Sequence, residues 1–185
     1  GKHDHMDLVT TQGVLRLHDP RRFGAAVWAE SESHQPALKL LGKLGMEPLS
    51  DGFELKLFQQ GLKKRSAPVK QVLLAGEVVV GVGNIYADES LFAAGIRPHT
   101  PSGRLTKNQL ESLCKALVQV LEVSIGAGGT TFSDFRDLTG TNGNYGNAAW
   151  VYRRSGEPGR HCGTPIRRDK LGGRSSHWCP SCQAA

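Results

Sequence analysis

The chain has 185 residues, and its 38% hydrophobic and 22% charged content is the balance of a folded globular protein, which excludes wholesale disorder. No apolar run reaches the roughly 18 residues that a membrane-spanning helix needs, and the polar start Gly1-Lys2-His3-Asp4-His5 has no signal-peptide core, so a cytoplasmic location is expected. The net charge of +6 is unevenly spread: residues 146–185 hold 7 basic and 2 acidic residues, while residues 1–145 hold 16 and 15. A small basic module on a nearly neutral body points to a polyanion partner, nucleic acid first, with a solvated basic tail as the alternative.

Taken in chain order, His5–Thr10 and Val14–His18 read as two strands around a Gln12-Gly13 turn. Asp19-Pro20 breaks the pattern, and a third strand is expected over Ala25–Ala29. Three short strands cannot bury both faces alone, so they read as part of a larger sheet. A short helix is expected around Gln35–Leu44, followed by a loop in which Ser50 or Asp51 caps a helix over Phe53–Gln60. Lys63-Lys64-Arg65 is a short basic run, and Val69–Leu74 is apolar enough for a buried helix. The next helix starts at Gly83, stops at Gly95 and is expected to carry Ile85, Leu91 and Phe92 on one apolar face. After a Pro/Gly-rich connection, Thr106 is the expected N-cap of a long helix with Leu110, Leu113, Leu117, Val120 and Leu121 at helical spacing, ending at Gly126. Thr131–Asp137 reads as a short helix or turn, and residues 139–147 as a flexible loop. The tail from residue 150 onward is too short for a core of its own without a staple.

That tail contains Gly159-Arg160-His161-Cys162, then sixteen residues, then Cys179-Pro180-Ser181-Cys182. A zinc ribbon has two Cys-x-x-Cys turns at such a separation, so that four thiolates converge on one ion. Here Gly159 stands where the first turn would have a cysteine. Two readings remain open: one structural zinc ion held by Cys162, Cys179 and Cys182 with His161 as a fourth ligand, or a hairpin with three reduced cysteines. Gly172-Gly173 fits the tip of a hairpin and places Arg174 beside it, where a guanidinium can grip a phosphate; a solvated charge is the plainer alternative. Gly81-Val82-Gly83-Asn84 opens a helix whose first N–H groups form an anion site, although most such patterns only cap helices. Asp19-Pro20-Arg21-Arg22-Phe23-Gly24 puts two arginines and an aromatic at a loop tip. An exposed Phe there can wedge between base steps, and a Phe folded back on the sheet is the alternative.

Together these segments resemble one family. Lys2–His5, the loop Asp19–Gly24, the stretch Gly81–Gly95, Gly128-Gly129-Thr130-Thr131 and the finger segment Cys162–Ile166 occur in the order seen in bacterial formamidopyrimidine-DNA glycosylase, and the resemblance covers nearly the whole chain. It implies an α+β protein. Residues 1–50 would be the last strands of an antiparallel β-sandwich, residues 51–147 a helix–two-turn–helix domain, and residues 148–185 a zinc-finger hairpin. It implies a base-excision-repair glycosylase and AP lyase that flips oxidised purines such as 8-oxoguanine or formamidopyrimidine out of duplex DNA and attacks the sugar with an N-terminal proline amine. That proline and its neighbouring glutamate are not among these 185 residues, so the chain alone is expected to bind damaged or abasic DNA without excising the base.

Carried over by position, Arg21 and Phe23 match the residues that fill the gap left by the flipped base. His3 and Arg22 match DNA contacts, Lys70 a lysine near the lesion, and Asn84 the helix-start asparagine on the backbone. Loop 139–147 matches the segment that closes over the everted base, and Arg174 the finger arginine, a phosphate contact with a supporting proton-donor role in elimination. The resemblance also implies a nucleoid-associated bacterial protein, and the incomplete sandwich implies self-association. Two other classes compete: a non-catalytic DNA-binding module, and a zinc-ribbon module that binds protein.

Overall fold

The structure, a computed structural model, describes residues 1–131 and 140–183, and these form two compact units, Gly1–Gly42 and Lys43–Ala185. In the first unit, β1 (Asp4–Thr10) and β2 (Gly13–His18) pair antiparallel, with Thr10 opposite Gly13. The turn is therefore Thr11-Gln12, one residue earlier than expected, and Gly13 begins the second strand. Residues 25–29 form no strand, and Trp28 stands 80% exposed. Met6, Leu8, Val9, Val14 and Leu15 are all exposed on the hairpin. The short helix α1 (Ala37–Leu41) lies inside the expected span.

The second unit is built on four helices: α2 (Leu55–Lys63), α3 (Val69–Leu74), α4 (Asn84–Ala93) and α5 (Lys107–Gly126). Neither Ser50 nor Asp51 caps α2; its N-cap is Glu54, with no side-chain capping bond, because the chain between forms its own turn with the Ser50 hydroxyl donating to the Glu47 carbonyl. The cap expected at Thr106 is present as a reciprocal pair: Thr106 Oγ1 accepts from the Gln109 amide, and the Gln109 side chain accepts from the Thr106 amide. Leu110, Leu113, Leu117 and Leu121 follow at helical spacing and are buried, the first three of them against Phe58, Leu62, Leu73 and Leu91. Each such side chain contributes roughly 1.5–3 kcal/mol by leaving water.

Helix α4 departs from the single apolar face read from the sequence. Leu91 enters the helical core, whereas Phe92 stacks on Trp150 and packs against a second cluster of Val151, Ile166 and Cys179. The helix lies between α5 on one side and the tail on the other, so it is buried over Ala87–Leu91, including Asp88, Glu89 and Ser90. A helix that serves two cores cannot be amphipathic in the ordinary sense.

The expected turn at 131–137 lies, apart from Thr131, outside the described residues. From Gly140 onward the expected flexible loop is organised. The Asn144 and Tyr145 amides donate to the Ala127 and Gly129 carbonyls, and a short helix α6 (Tyr145–Ala148) buries Tyr145. Gly143 is required there, since a Cβ would lie 2.2 Å from the Gly129 oxygen. The tail ends in an antiparallel hairpin, β3 (Arg167–Leu171) and β4 (Arg174–Trp178). Its two-residue turn is Gly172-Gly173, with φ of 56° and 79°, the left-handed pair that this connection requires.

Candidate nucleic-acid interface and metal centre

Two of the three DNA-facing elements read from the sequence belong to the second unit, and the structure brings them together. Helix α4 begins at Asn84 on a Gly83 N-cap that has no side chain, so no side-chain cap competes for its first N–H groups. The hairpin tip packs beside it: Asn84, Gly83, Gln71, Gly172 and Arg174 line one open cleft of about 530 Å³. Asn84 Nδ2 donates to Ser175 Oγ at 3.4 Å, and its Oδ1 is buried without a partner. Arg174 is exposed, and its guanidinium forms no ion pair with any described residue. An uncapped positive helix end and an arginine thus face the same cleft, an arrangement suited to a phosphate.

What holds the tip in place was not legible as a site. Lys70, on α3, is fully buried; its Nζ lies 2.6 Å from Asp88 Oδ1 and donates to the Ser175 carbonyl at 2.7 Å. The other Asp88 oxygen accepts from the His177 amide at 2.9 Å and meets His177 Nδ1 at 3.2 Å, while Ser176 Oγ donates to Oδ1 at 3.3 Å. Burial pushes the Lys70 ammonium below its ordinary value, against the pull of Asp88. Lys70 therefore spends its charge on Asp88 and on the strand that carries Arg174, and its ammonium is not presented to solvent.

Next to Asp88, Glu89 accepts three backbone N–H bonds, from Trp150, Val151 and Tyr152, at 2.7–2.9 Å. Burial raises its pKa, and the three donors oppose that shift. Gln183 makes a third tie, accepting from the Cys179 amide and donating to the Ile96 carbonyl. A sequence signal existed for these residues: an adjacent Asp-Glu pair in the middle of an otherwise apolar helix marks buried carboxylates that need donors.

At the base of the hairpin the Sγ atoms of Cys162, Cys179 and Cys182 lie within 4.8 Å of one another, with 3.4 Å between Cys162 and Cys179. The Cys182 amide donates to Cys179 Sγ, the bond that turns a Cys-x-x-Cys knuckle. The Thr164 hydroxyl and amide pull the Cys162 thiol down to about 6, while burial and the neighbouring thiols push Cys182 up to about 12. Three thiolates this close repel one another unless a cation sits among them, and the donor set suits zinc. His161 is not in the group; it lines a cleft shared by Phe92, Trp150 and the ligand Cys182. The fourth corner expected from His161 is therefore not supplied by it, because its ring nitrogens lie outside the group that the three sulfurs form. The first knuckle keeps its turn without a cysteine, since the Gly159 amide donates to the Thr164 carbonyl and the Gly163 amide to the Gly159 carbonyl.

In the first unit, Asp19 organises the loop that carries the arginines. Its carboxylate accepts from the Gly24 amide at 2.6 Å and the Arg21 amide at 3.2 Å, and these bonds, the Gly24 bond foremost, hold its pKa below the usual carboxylate range. Phe23 is not folded back on the sheet: it is 84% exposed, with the Arg21 guanidinium over its ring at 5.6 Å. Arg22 is exposed at positive φ, and His3 is half-buried with its ring edge against His18.

The family model described as the formamidopyrimidine-DNA glycosylase H2TH domain matches residues 44–136, half of the chain. The chain belongs to the formamidopyrimidine-DNA glycosylase family. A second model, the zinc finger found in FPG and IleRS, matches residues 156–185. The formamidopyrimidine-DNA glycosylase of Parasynechococcus marenigrum is 59% identical over 91% of this chain, which spans 61% of that relative's length. The one from Variovorax paradoxus is 54% identical over 99% of the chain, which spans 68% of it. Among solved structures, the MutM (Fpg) protein of Thermus thermophilus matches with a TM-score of 0.88 at 40% identity, covering 99% of this chain and 69% of that one. The Lactococcus lactis Fpg bound to DNA containing an abasic site matches with a TM-score of 0.86 at 33% identity, covering all of this chain and 68% of that one. The glycosylase family's fold class is thus the one the sequence implied, with helices, small antiparallel sheets and a C-terminal zinc-finger hairpin. Its finger carries a structural zinc ion, for which Cys162, Cys179 and Cys182 are the ligands this chain offers.

Proposed function

We propose that these 185 residues are the DNA-holding part of a base-excision-repair glycosylase and AP lyase for oxidised purines, working in the bacterial cytoplasm at the nucleoid. Within it, residues 1–50 would be sandwich strands, 51–147 the helix–two-turn–helix module and 148–185 the finger. The observation that carries this reading is the cleft in which the exposed Arg174 and the uncapped start of α4 at Asn84 lie side by side. In it Arg174 grips a backbone phosphate and supports the last elimination step, and Asn84 holds the neighbouring backbone. Arg21, Arg22, Phe23 and His3 supply the remaining contacts, Phe23 as the wedge and Arg21 toward the unpaired base. Lys70 acts as a positioning residue, through Ser175, rather than as a direct contact. A flipped base is the only geometry in which such an enzyme reaches its target, so an abasic or damaged duplex is the preferred partner.

A titration of the chain with abasic and intact duplexes at several salt concentrations tests this. The abasic duplex should bind more tightly, and Arg174→Ala should weaken binding and lower the salt slope by about 1. Equal affinity for both duplexes would indicate a DNA module without a repair role. Binding that ignores salt, or no binding, would favour a protein-interaction ribbon. Borohydride added to the abasic complex should trap no covalent adduct with the 185 residues alone, since the proline nucleophile is not among them.

The apolar residues exposed on β1 and β2 also have an expected consequence. On its own the chain should self-associate through that hairpin, and sedimentation showing a monodisperse monomer at micromolar concentration would count against it.

A further inference from the structure

We propose that the finger's metal centre is a three-thiolate site whose fourth position, on the Gly159 side, takes an exchangeable ligand from solution: water, replaced by a small monodentate thiolate where one is present. The inference rests on the zinc finger and not on the DNA reading. The three sulfurs form a complete face for an ion, and no fourth His, Cys, Asp or Glu among the described residues joins them. Zinc in such proteins is four-coordinate, so a fourth donor must come from elsewhere.

The position it occupies is marked by the chain. A Cβ built on Gly159 would lie 3.7 Å from Cys162 Sγ, so a side chain there would extend into the sulfur group. Glycine leaves that space without a donor, while the knuckle's backbone bonds hold the loop in the shape a ligand-bearing turn would have. Access is available because Cys162, the ligand beside the gap, is exposed, whereas Cys179 is buried. The other candidate donor, His161, lines a cleft with Phe92, Trp150 and Cys182, and its ring nitrogens stay outside the sulfur group. A finger with four protein thiolates is closed to solution; this one is open in the manner of sites that keep a position for a small ligand.

The test is cobalt substitution of the full chain, read by visible and near-ultraviolet absorption with 2-mercaptoethanol as the probe. In the native chain the thiol should shift the visible bands and raise the thiolate-to-cobalt absorption by about one third, as three sulfur ligands become four. Gly159→Cys should start at that higher intensity and not respond to the thiol. The position tolerates the change: Gly159 is not in the left-handed region, and the new Cβ is tight only against the Thr164 oxygen, at 3.0 Å. His161→Ala should leave the native spectrum as it is. A native spectrum that ignores the thiol, loss of the bands in His161→Ala, or failure of the native chain to bind cobalt would each overturn the proposal. DNA binding does not enter the readout, so this result and that of the duplex titration stand apart.

Discussion

Asp88→Ala is expected to destabilise the unit Lys43–Ala185 by ~3–5 kcal/mol, because it leaves the Lys70 ammonium buried with no counter-charge. The same substitution removes the acceptor of the His177 amide, so β4 loses its anchor on α4. Equilibrium unfolding in urea, followed by far-ultraviolet circular dichroism, measures the loss. The companion variant Lys70→Met with Asp88→Leu should recover much of it, since replacing both partners of a buried pair by apolar groups is often neutral or stabilising. In that double variant the fold returns but Lys70 no longer holds the Ser175 carbonyl, so affinity for an abasic duplex should stay reduced. A single-variant loss below about 1 kcal/mol would show that the pair is not what fastens the finger. Full affinity in a well-folded double variant would show that the fingertip does not depend on it.

Removing the metal should act on the same fingertip from its other end. Trp178 directly precedes the ligand Cys179 and is 2% exposed, with the Arg97 guanidinium 4.3 Å from its ring centre. Metal binding is part of the folding free energy of such hairpins, on the order of 10 kcal/mol for four-ligand fingers and less for three. Chelation, or Cys179→Ser, should therefore open the knuckles, move tryptophan emission to the red and lower abasic-duplex affinity roughly 10–100-fold, the value of one charge-assisted phosphate contact. The Cys162→Ser change should be milder, because that thiol is exposed and already shares its neighbourhood with solvent. Unchanged emission and affinity in a chain shown to be metal-free would contradict a structural role for the ion.

Both expectations concern residues that differ in how far the sequence alone reveals them. The finger was legible because spacing is a one-dimensional property: Cys162, Cys179 and Cys182 stand at intervals that only a pair of tight turns converts into a common centre. The Gly172-Gly173 tip and the Thr106 cap were legible for the same reason, since each needs only residues within a few positions of it. The single apolar face expected of α4 does not hold, and a fourth ligand at His161, one of the two readings left open, is not what the structure shows. In both cases the deciding fact is which neighbour lies across the gap, and that neighbour is distant in the chain.

Composition, spacing and local turn chemistry are enough for the family resemblance, the helical module, the metal-binding tail and the basic surplus that points to a polyanion. Packing in three dimensions makes Lys70 a buried strut and not a surface cation, lets Asp88 and Glu89 fasten the tail to α4, and puts Asn84 and Arg174 on one cleft. The physical reason is that a buried charge is tolerable only beside its partner, and Lys70, Asp88 and His177 become partners only once α3, α4 and β4 have packed together.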